Sequence, residues 1–340
     1  MGKGSLKNIG KNIEEGLREN RENSIIKSRG SSKIRRVATL AAIVVLALAP
    51  LYGSTYAVNV LILMLIYMSL GQMWNLLGGY AGLVSLGQQA FIGLGGYSLA
   101  MVTHVYGLPV ILSFCVAVVV SVLFALAISI PIFKMRTVYF TIGTWIVAEC
   151  LMLWFSVWKW ANYAQGYTIT ATYAYSAQQI YYIALALGLG SVGLVYFILR
   201  SRLGLALMAM RDNEAAAEVR GVELYRTKLK LFLISAAMTG LAGATFFLYS
   251  SYIRPDNAFY IQWTVSMVFI VVIGGIGTIE GPIIGAVIFV LLRQWLFNFP
   301  GFSMIILGVI AIAIILLAPK GIMGLLSNKI NFEIFSVRRR

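Results

Sequence analysis

The sequence predicts an all-α fold, a polytopic bundle of about ten transmembrane helices with a short cytoplasmic helix in one loop. Three observations predict it. Hydrophobic residues make up 60% of the 340-residue chain and charged residues only 11%, against roughly 25% charged in soluble domains. Apolar runs near or above the roughly 18–20 residues that cross a bilayer recur along the chain. The polar residues are gathered into two sizeable pieces, a tail at 1–36 and a stretch at 200–230, and neither could bury a core of its own. The expected division is therefore a basic tail at 1–36, a membrane domain at 37–320 and a second tail at 321–340.

In chain order, the tail 1–36 places Leu6, Ile9, Ile13 and Leu17 at helical spacing among many basic residues. That suits either an amphipathic helix on membrane lipid or a solvated, disordered tail. Spans are expected at about 37–53, 56–78, 82–104, 108–133 and 137–158. The third is broken in character: glycines crowd residues 78–96, and Ser85, Gln88 and Gln89 put polar groups at depth. Residues 159–177 are polar and tyrosine-rich and read as an external loop with interfacial aromatics. A sixth span follows at about 178–199. Beyond the charged stretch come spans at about 231–253, 258–276, 283–299 and 303–318, with a tight glycine turn at 274–282.

Ten crossings place the first tail, Lys134 and Arg136, the 200–230 loop, the 274–282 turn and the last tail on one side, and the positive-inside rule makes that side the cytoplasm. Both termini are then cytoplasmic, in a multi-pass protein of the cell membrane. The net charge of +15 comes from these flanking residues, so nucleic acid is not an expected partner. Cys115 and Cys150 lie in apolar runs and are expected to be packing residues. His104 stands alone near a membrane boundary and reads as an interface residue.

The chemistry the chain lacks is informative. It has no nucleotide-binding glycine loop, no zinc-protease or nucleophile-elbow motif and no cysteine–histidine cluster. No catalytic residue, metal or cofactor is expected on this chain. Acids within the spans come down to Glu149, with Glu280 at a membrane edge, which argues against an ion-coupled secondary carrier and against a membrane enzyme. The charged stretch centres on Arg211, Asp212, Asn213, Glu214, Ala215, Ala216, Ala217, Glu218, Val219, Arg220 and Gly221. Asp212 or Asn213 can cap a helix there, and Gly221 can stop it. Such a helix is either a handle for a soluble partner or a solvated connector.

Four separated segments carry a resemblance: GGYAGLVSLGQQAFIGLGGYS (78–98), VYFTIGTWIVAE (138–149), RDNEAAAEVRGVELYRTKLKLFLISAAMTGLAGA (211–244) and GGIGTIEGPIIGAVIFVLL (274–292). In this order they resemble permeases of branched-chain amino-acid ABC transporters. The resemblance covers most of 56–318 and implies an importer subunit for branched-chain or other hydrophobic amino acids, with urea and short amides as the related alternative. It implies a second homologous permease, two cytoplasmic ATPase subunits that carry ATP and magnesium, and an extracellular substrate-binding protein. It makes 211–221 the helix that couples to the ATPases. The general importer loop has three residues between Glu-Ala-Ala and its glycine. Here Glu214-Ala215-Ala216 is followed by four before Gly221, so Glu214 and Glu218 both remain candidates for the contact. Gly79, Gly82, Ser85, Gln88, Glu149, Gly274, Gly275 and Gly277 are expected along the pathway or at helix contacts, with simple packing the other reading of each glycine.

Overall fold

The computed structural model describes residues 41–135, 137–296, 303–318 and 321–324. The expectations for the tail 1–36, for Arg136 and for most of 321–340 lie outside the described residues. The chain divides into two units, the first ending at Tyr52 and the second beginning at Gly53. From the first, one short apolar helix is described, α1 (Ala41–Tyr52).

The second unit starts with α2 (Thr55–Trp74), whose first turn is capped by the Ser54 hydroxyl accepting from the Ala57 amide at 3.3 Å. It runs on through a π-helical turn, Asn75–Tyr80. After an irregular stretch come α3 (Gln89–Ala100) with its own π-helical end Met101–Val105, α4 (Val110–Ile132) and α5 (Thr137–Val157). A loop of 3₁₀ turns carries the two-residue β1 (Tyr167–Thr168). A capping box of Ser176 and Gln179 then opens α6 (Ala177–Arg200). Next are α7 (Arg202–Asp212), α8 (Glu214–Val219), α9 (Leu224–Ser250), β2 (Tyr252–Ile253), α10 (Pro255–Ala258), α11 (Gln262–Gly274), α12 (Glu280–Trp295) and α13 (Ser303–Leu317). Six of these segments are long and apolar enough to cross a membrane: Thr55–Tyr80, Val110–Ile132, Val138–Val157, Ala177–Arg200, Leu224–Ser250 and Pro255–Gly274. At four further expected spans the helices are shorter, namely α1, α3, α12 and α13.

Packing inverts the pattern of a soluble protein. On α4 the buried residues are Val110, Ser113, Ala117, Ser121, Ala125, Ser129 and Ile132, nearly all small. Ile111, Val119, Leu123, Leu126 and Ile130 face outward. Apolar surround outside and small residues inside is the arrangement of helices in lipid, where close approach of backbones replaces the hydrophobic drive. This multi-pass bundle therefore buries glycine against helix: a Cβ on Gly95 of α3 would stand 1.9 Å from the Gly240 carbonyl of α9, and one on Gly243 would stand 2.3 Å from that of Ile92. Cys115 and Cys150 are exposed on α4 and α5, which corrects the expectation that they pack. Apolar sequence around a residue does not put it in the core when the surroundings are lipid.

Two helices carry the core. α2, with Ile62, Ile66, Leu70 and Met73 fully buried and Leu76 and Leu77 buried in the turn that follows, is wrapped by α6, α9, α11 and α12. α3 is wrapped by α4, α5, α9 and α10. The bundle has two distinguishable ends. At one, β1 and β2 pair antiparallel, Tyr167 opposite Ile253 and Thr168 opposite Tyr252, and the His104 ring lies 5.2 Å from that of Tyr167. Burial there pushes the Tyr167 phenol above its usual range. At the other end lie the break after α2, the α7–α8 segment and the turn between α11 and α12.

The close approach of α3 to α9 predicts opposite outcomes for two glycine substitutions. Gly95→Ala should lower the melting temperature of the purified permease, by overpacking of about 1–3 kcal/mol. Gly190→Ala, on an open stretch of α6 with no atom within 4 Å of its added methyl, should leave it unchanged or raise it, since alanine favours helix by about 0.5–1 kcal/mol. Thermal unfolding followed in detergent compares the two.

Candidate site: two helix breaks and the α7–α8 segment

The irregular stretches at 81–88 and 275–279 interrupt apolar helices and are partly buried, so their buried backbone groups need protein partners. α2 supplies them to the second. Asn75 accepts from the Gly277 amide at 2.8 Å and donates to the Thr278 carbonyl at 2.8 Å, replacing a backbone pair with one side-chain amide. One turn earlier, Gln72 donates to the Ile279 carbonyl at 2.6 Å. Thr278 closes the turn by donating to the Gly275 carbonyl at 2.8 Å and accepting from Gly281 at 3.1 Å. Gly277 adopts φ +73°, a left-handed conformation that disfavours a side chain. A Cβ on Gly79 would fall 2.0 Å from the Asn75 side-chain oxygen, so glycine there is what admits the lock.

The first break is satisfied mainly from α5. Thr141 donates to the Val84 carbonyl at 2.7 Å, and Thr144 accepts from Leu86 at 3.1 Å. Trp74 donates to the Ser85 carbonyl at 3.0 Å, and the Ser85 hydroxyl accepts from Gly87 at 3.2 Å. The expected span at about 82–104 thus starts its helix only at Gln89. The break leads into a buried polar row: Gln88 donates to Ser235 at 3.2 Å and accepts from Thr239 at 3.0 Å, both on α9. Its neighbour Gln89 accepts from Thr264 of α11. Among the described residues, Gln72 Oε1, Gln89 Nε2 and Ser69 Oγ are buried with no hydrogen-bond partner.

The charged stretch docks against both breaks. A Cβ on Gly277 would stand 2.8 Å from Arg211 Nη1, and one on Gly82 would stand 3.9 Å from the Arg211 backbone. Arg211 therefore lies across the two turns at the end of α7. Asn213 is extended at φ −163°. It splits the expected helix 211–221, so that only Glu214–Val219 forms α8. Its side chain caps α8 by accepting from the Ala216 amide at 3.0 Å. Asp212 instead ends α7. Gly221 follows α8 at φ +84°. Glu214 is held by Lys228 of α9 at 2.8 Å. Ala215, Ala216 and Glu218 are exposed, and Val219 is 90% exposed.

Of the residues singled out from sequence, Gly79, Gly82, Ser85, Gln88, Gly274, Gly275 and Gly277 all line these breaks or the row behind them. Glu149 is not brought to them: half-buried on α5, it accepts from Trp145 of its own helix at 2.9 Å. Sequence reasoning passed over Gln72, Asn75, Thr141, Thr144, Ser235 and Thr239. Asn75 had a signal, since an amide next to Gly78 and Gly79 within an apolar run needs a partner. Among the described residues no group of acids, histidines and cysteines could hold a metal.

Comparison with known proteins places the chain. Residues 56–318 match the family described as the branched-chain amino acid transport system / permease component. The chain is 26% identical over 330 residues to the high-affinity branched-chain amino acid transport system permease protein LivM of Salmonella typhimurium, covering 88% of this chain and 77% of that one. The corresponding protein of Escherichia coli matches to the same extent. A probable branched-chain amino acid transport permease protein LivH of Methanocaldococcus jannaschii is 27% identical over 142 residues, 39% of this chain and 44% of that one. No solved structure matches. With the match running through both helix breaks and the segment docked on them, the chain belongs to the family of branched-chain amino acid transport system permease components.

Proposed function

We propose that this protein is one permease subunit of an ATP-driven importer that carries branched-chain amino acids across the cell membrane. It works beside a second homologous permease, above two cytoplasmic ATPase subunits, and below an extracellular binding protein. It has ten crossings, with α1, α3, α12 and α13 completing the six long spans and both termini in the cytoplasm. The end that carries α7 and α8 faces the ATPases, and the end with the β1–β2 pair faces outward. ATP and magnesium stay on the ATPase subunits, and this chain performs no catalysis. One observation carries the reading: Arg211, at the foot of the exposed α8, lies on the turns that break α2–α3 and α11–α12. A push on α8 is thereby delivered to the backbone at Gly82 and Gly277, where helices are already interrupted.

The two acids of α8 take separate roles. Glu214 is tied to Lys228 and fixes α8 on α9. Glu218 and Val219 form the exposed face that meets the ATPase. Reconstituting the complex in vesicles and following ATP-dependent leucine uptake tests the whole reading. Uptake of urea in place of leucine would move the substrate assignment, and uptake without the ATPases would end it.

Within that assay Glu218→Lys should lower substrate-stimulated ATP hydrolysis roughly ten-fold or more, since it reverses a charge at the contact. Glu214→Gln should change it far less, because it removes a partly buried ion pair within this chain and reverses no charge at the contact. Equal losses for both would refute the division of roles. Arg211→Gln should act differently again, reducing leucine moved per ATP by at least about five-fold, the lower end of ordinary coupling energies. An unchanged ratio would show that Arg211 transmits nothing.

A further inference from the structure

A recess of about 430 Å³ runs along α11–α13 and is almost wholly apolar; a smaller one of about 270 Å³, at the end of the bundle opposite Arg211, is not. The smaller lies between α2, α9 and α12, lined by Leu63, Tyr67, Phe246, Ser250, Val290 and Arg293 among others. Its size is just under the roughly 300 Å³ at which drug-sized ligand sites begin, suited to a smaller molecule. Arg293 donates to the Tyr67 hydroxyl, and its guanidinium lies 5.6 Å from the centre of that ring. Tyr67 is itself fixed, buried and packed against Trp263 and Phe289.

Arg293 has no carboxylate within 4 Å among the described residues; the ion pairs found join other residues. From Glu280 to Arg293 the helix rises roughly 20 Å, within the roughly 30 Å of bilayer hydrocarbon. A charged side chain at such depth is expensive unless it faces a water-filled route or a partner and does something there. With one of five N–H donors on Tyr67, the planar fork keeps donors for a bidentate anion.

We propose that Arg293 receives the carboxylate of the transported amino acid as it enters from outside. The rest of the recess suits the rest of a zwitterion with a branched side chain. Leu63, Phe246 and Val290 give an apolar wall. Tyr249 and Ser250 are the last residues of α9, so the negative end of that helix borders the recess and favours the ammonium group. The inference rests on the importer reading above and names a substrate-binding residue for it.

The test uses the complete complex with its binding protein, reconstituted in vesicles, with leucine uptake and ATP hydrolysis measured together. Arg293→Gln should reduce leucine transported per ATP hydrolysed by roughly ten-fold, the loss expected for hydrogen bonds to a charged group. Arg293→Lys, which keeps the charge but not the fork, should recover part of it. Misfolded or unassembled complexes lower both rates together and leave the ratio alone, so a ratio equal to wild type in Arg293→Gln overturns the proposal. A deficit that appears only in vesicles containing anionic phosphatidylglycerol, and not in pure phosphatidylcholine, would make Arg293 a lipid-headgroup site and also overturn it. If the unsubstituted complex moves no leucine, it is the importer reading that fails, a result separable from either.

Discussion

A single side-chain amide holds the turn between α11 and α12 against the end of α2. Asn75 takes the Gly277 amide and the Thr278 carbonyl at once, so a turn inside the bundle keeps its backbone paired without water. Where water is excluded an unpaired backbone group costs several kcal/mol, so this pairing stabilises the turn. The dependence spreads from this point. Gln72 pins Ile279 beside it. Gly79 leaves room for Asn75, and Gly277 lets Arg211 lie flat on the turn. Remove the amide and the α11–α12 connection, the break after α2 and the seat of α7 all lose a shared partner.

Much of this architecture was legible because the bilayer imposes simple patterns. Six long apolar segments and the charged stretch between α6 and α9 follow from length and charge alone. The α8 cap was legible as Asp212 or Asn213, since both short side chains compete well for free N–H groups at a helix start; the break that makes it Asn213 was not. The break at 81–88 was harder to place. Leu83, Val84 and Leu86 read as continuing span, and the groups that satisfy them, Thr141 and Thr144, sit on α5. No local pattern announces a partner about sixty residues away. The cysteines were misread for a related reason: apolar context in a membrane protein marks lipid as readily as core. Arg293 passed unremarked because it lies near the end of an apolar run, where a basic residue looks like a flank; only the recess and Tyr67 set it apart.

On the proposed importer reading, the two ends of the molecule divide the work between them. α8 offers Glu218 and Val219 at one end, and the Arg293 recess opens toward the other. α2 and α9 run between them: α2 contributes Asn75 to the inner lock and Tyr67 to the outer recess, while α9 holds Glu214 through Lys228 and ends at Ser250. Small residues at the helix contacts leave these helices close enough that a shift at one end need not be absorbed by compliant side chains along the way.

On the proposed reading, α8 is the surface on which the ATPases act. Its most direct measurement places a single cysteine at Val219, with Cys115 and Cys150 replaced by serine, and applies a short cross-linker to the assembled complex. The expected result is a product joining this chain to an ATPase subunit, with a yield that changes when ATP is bound. A product with the external binding protein, or none with the ATPase, would contradict it.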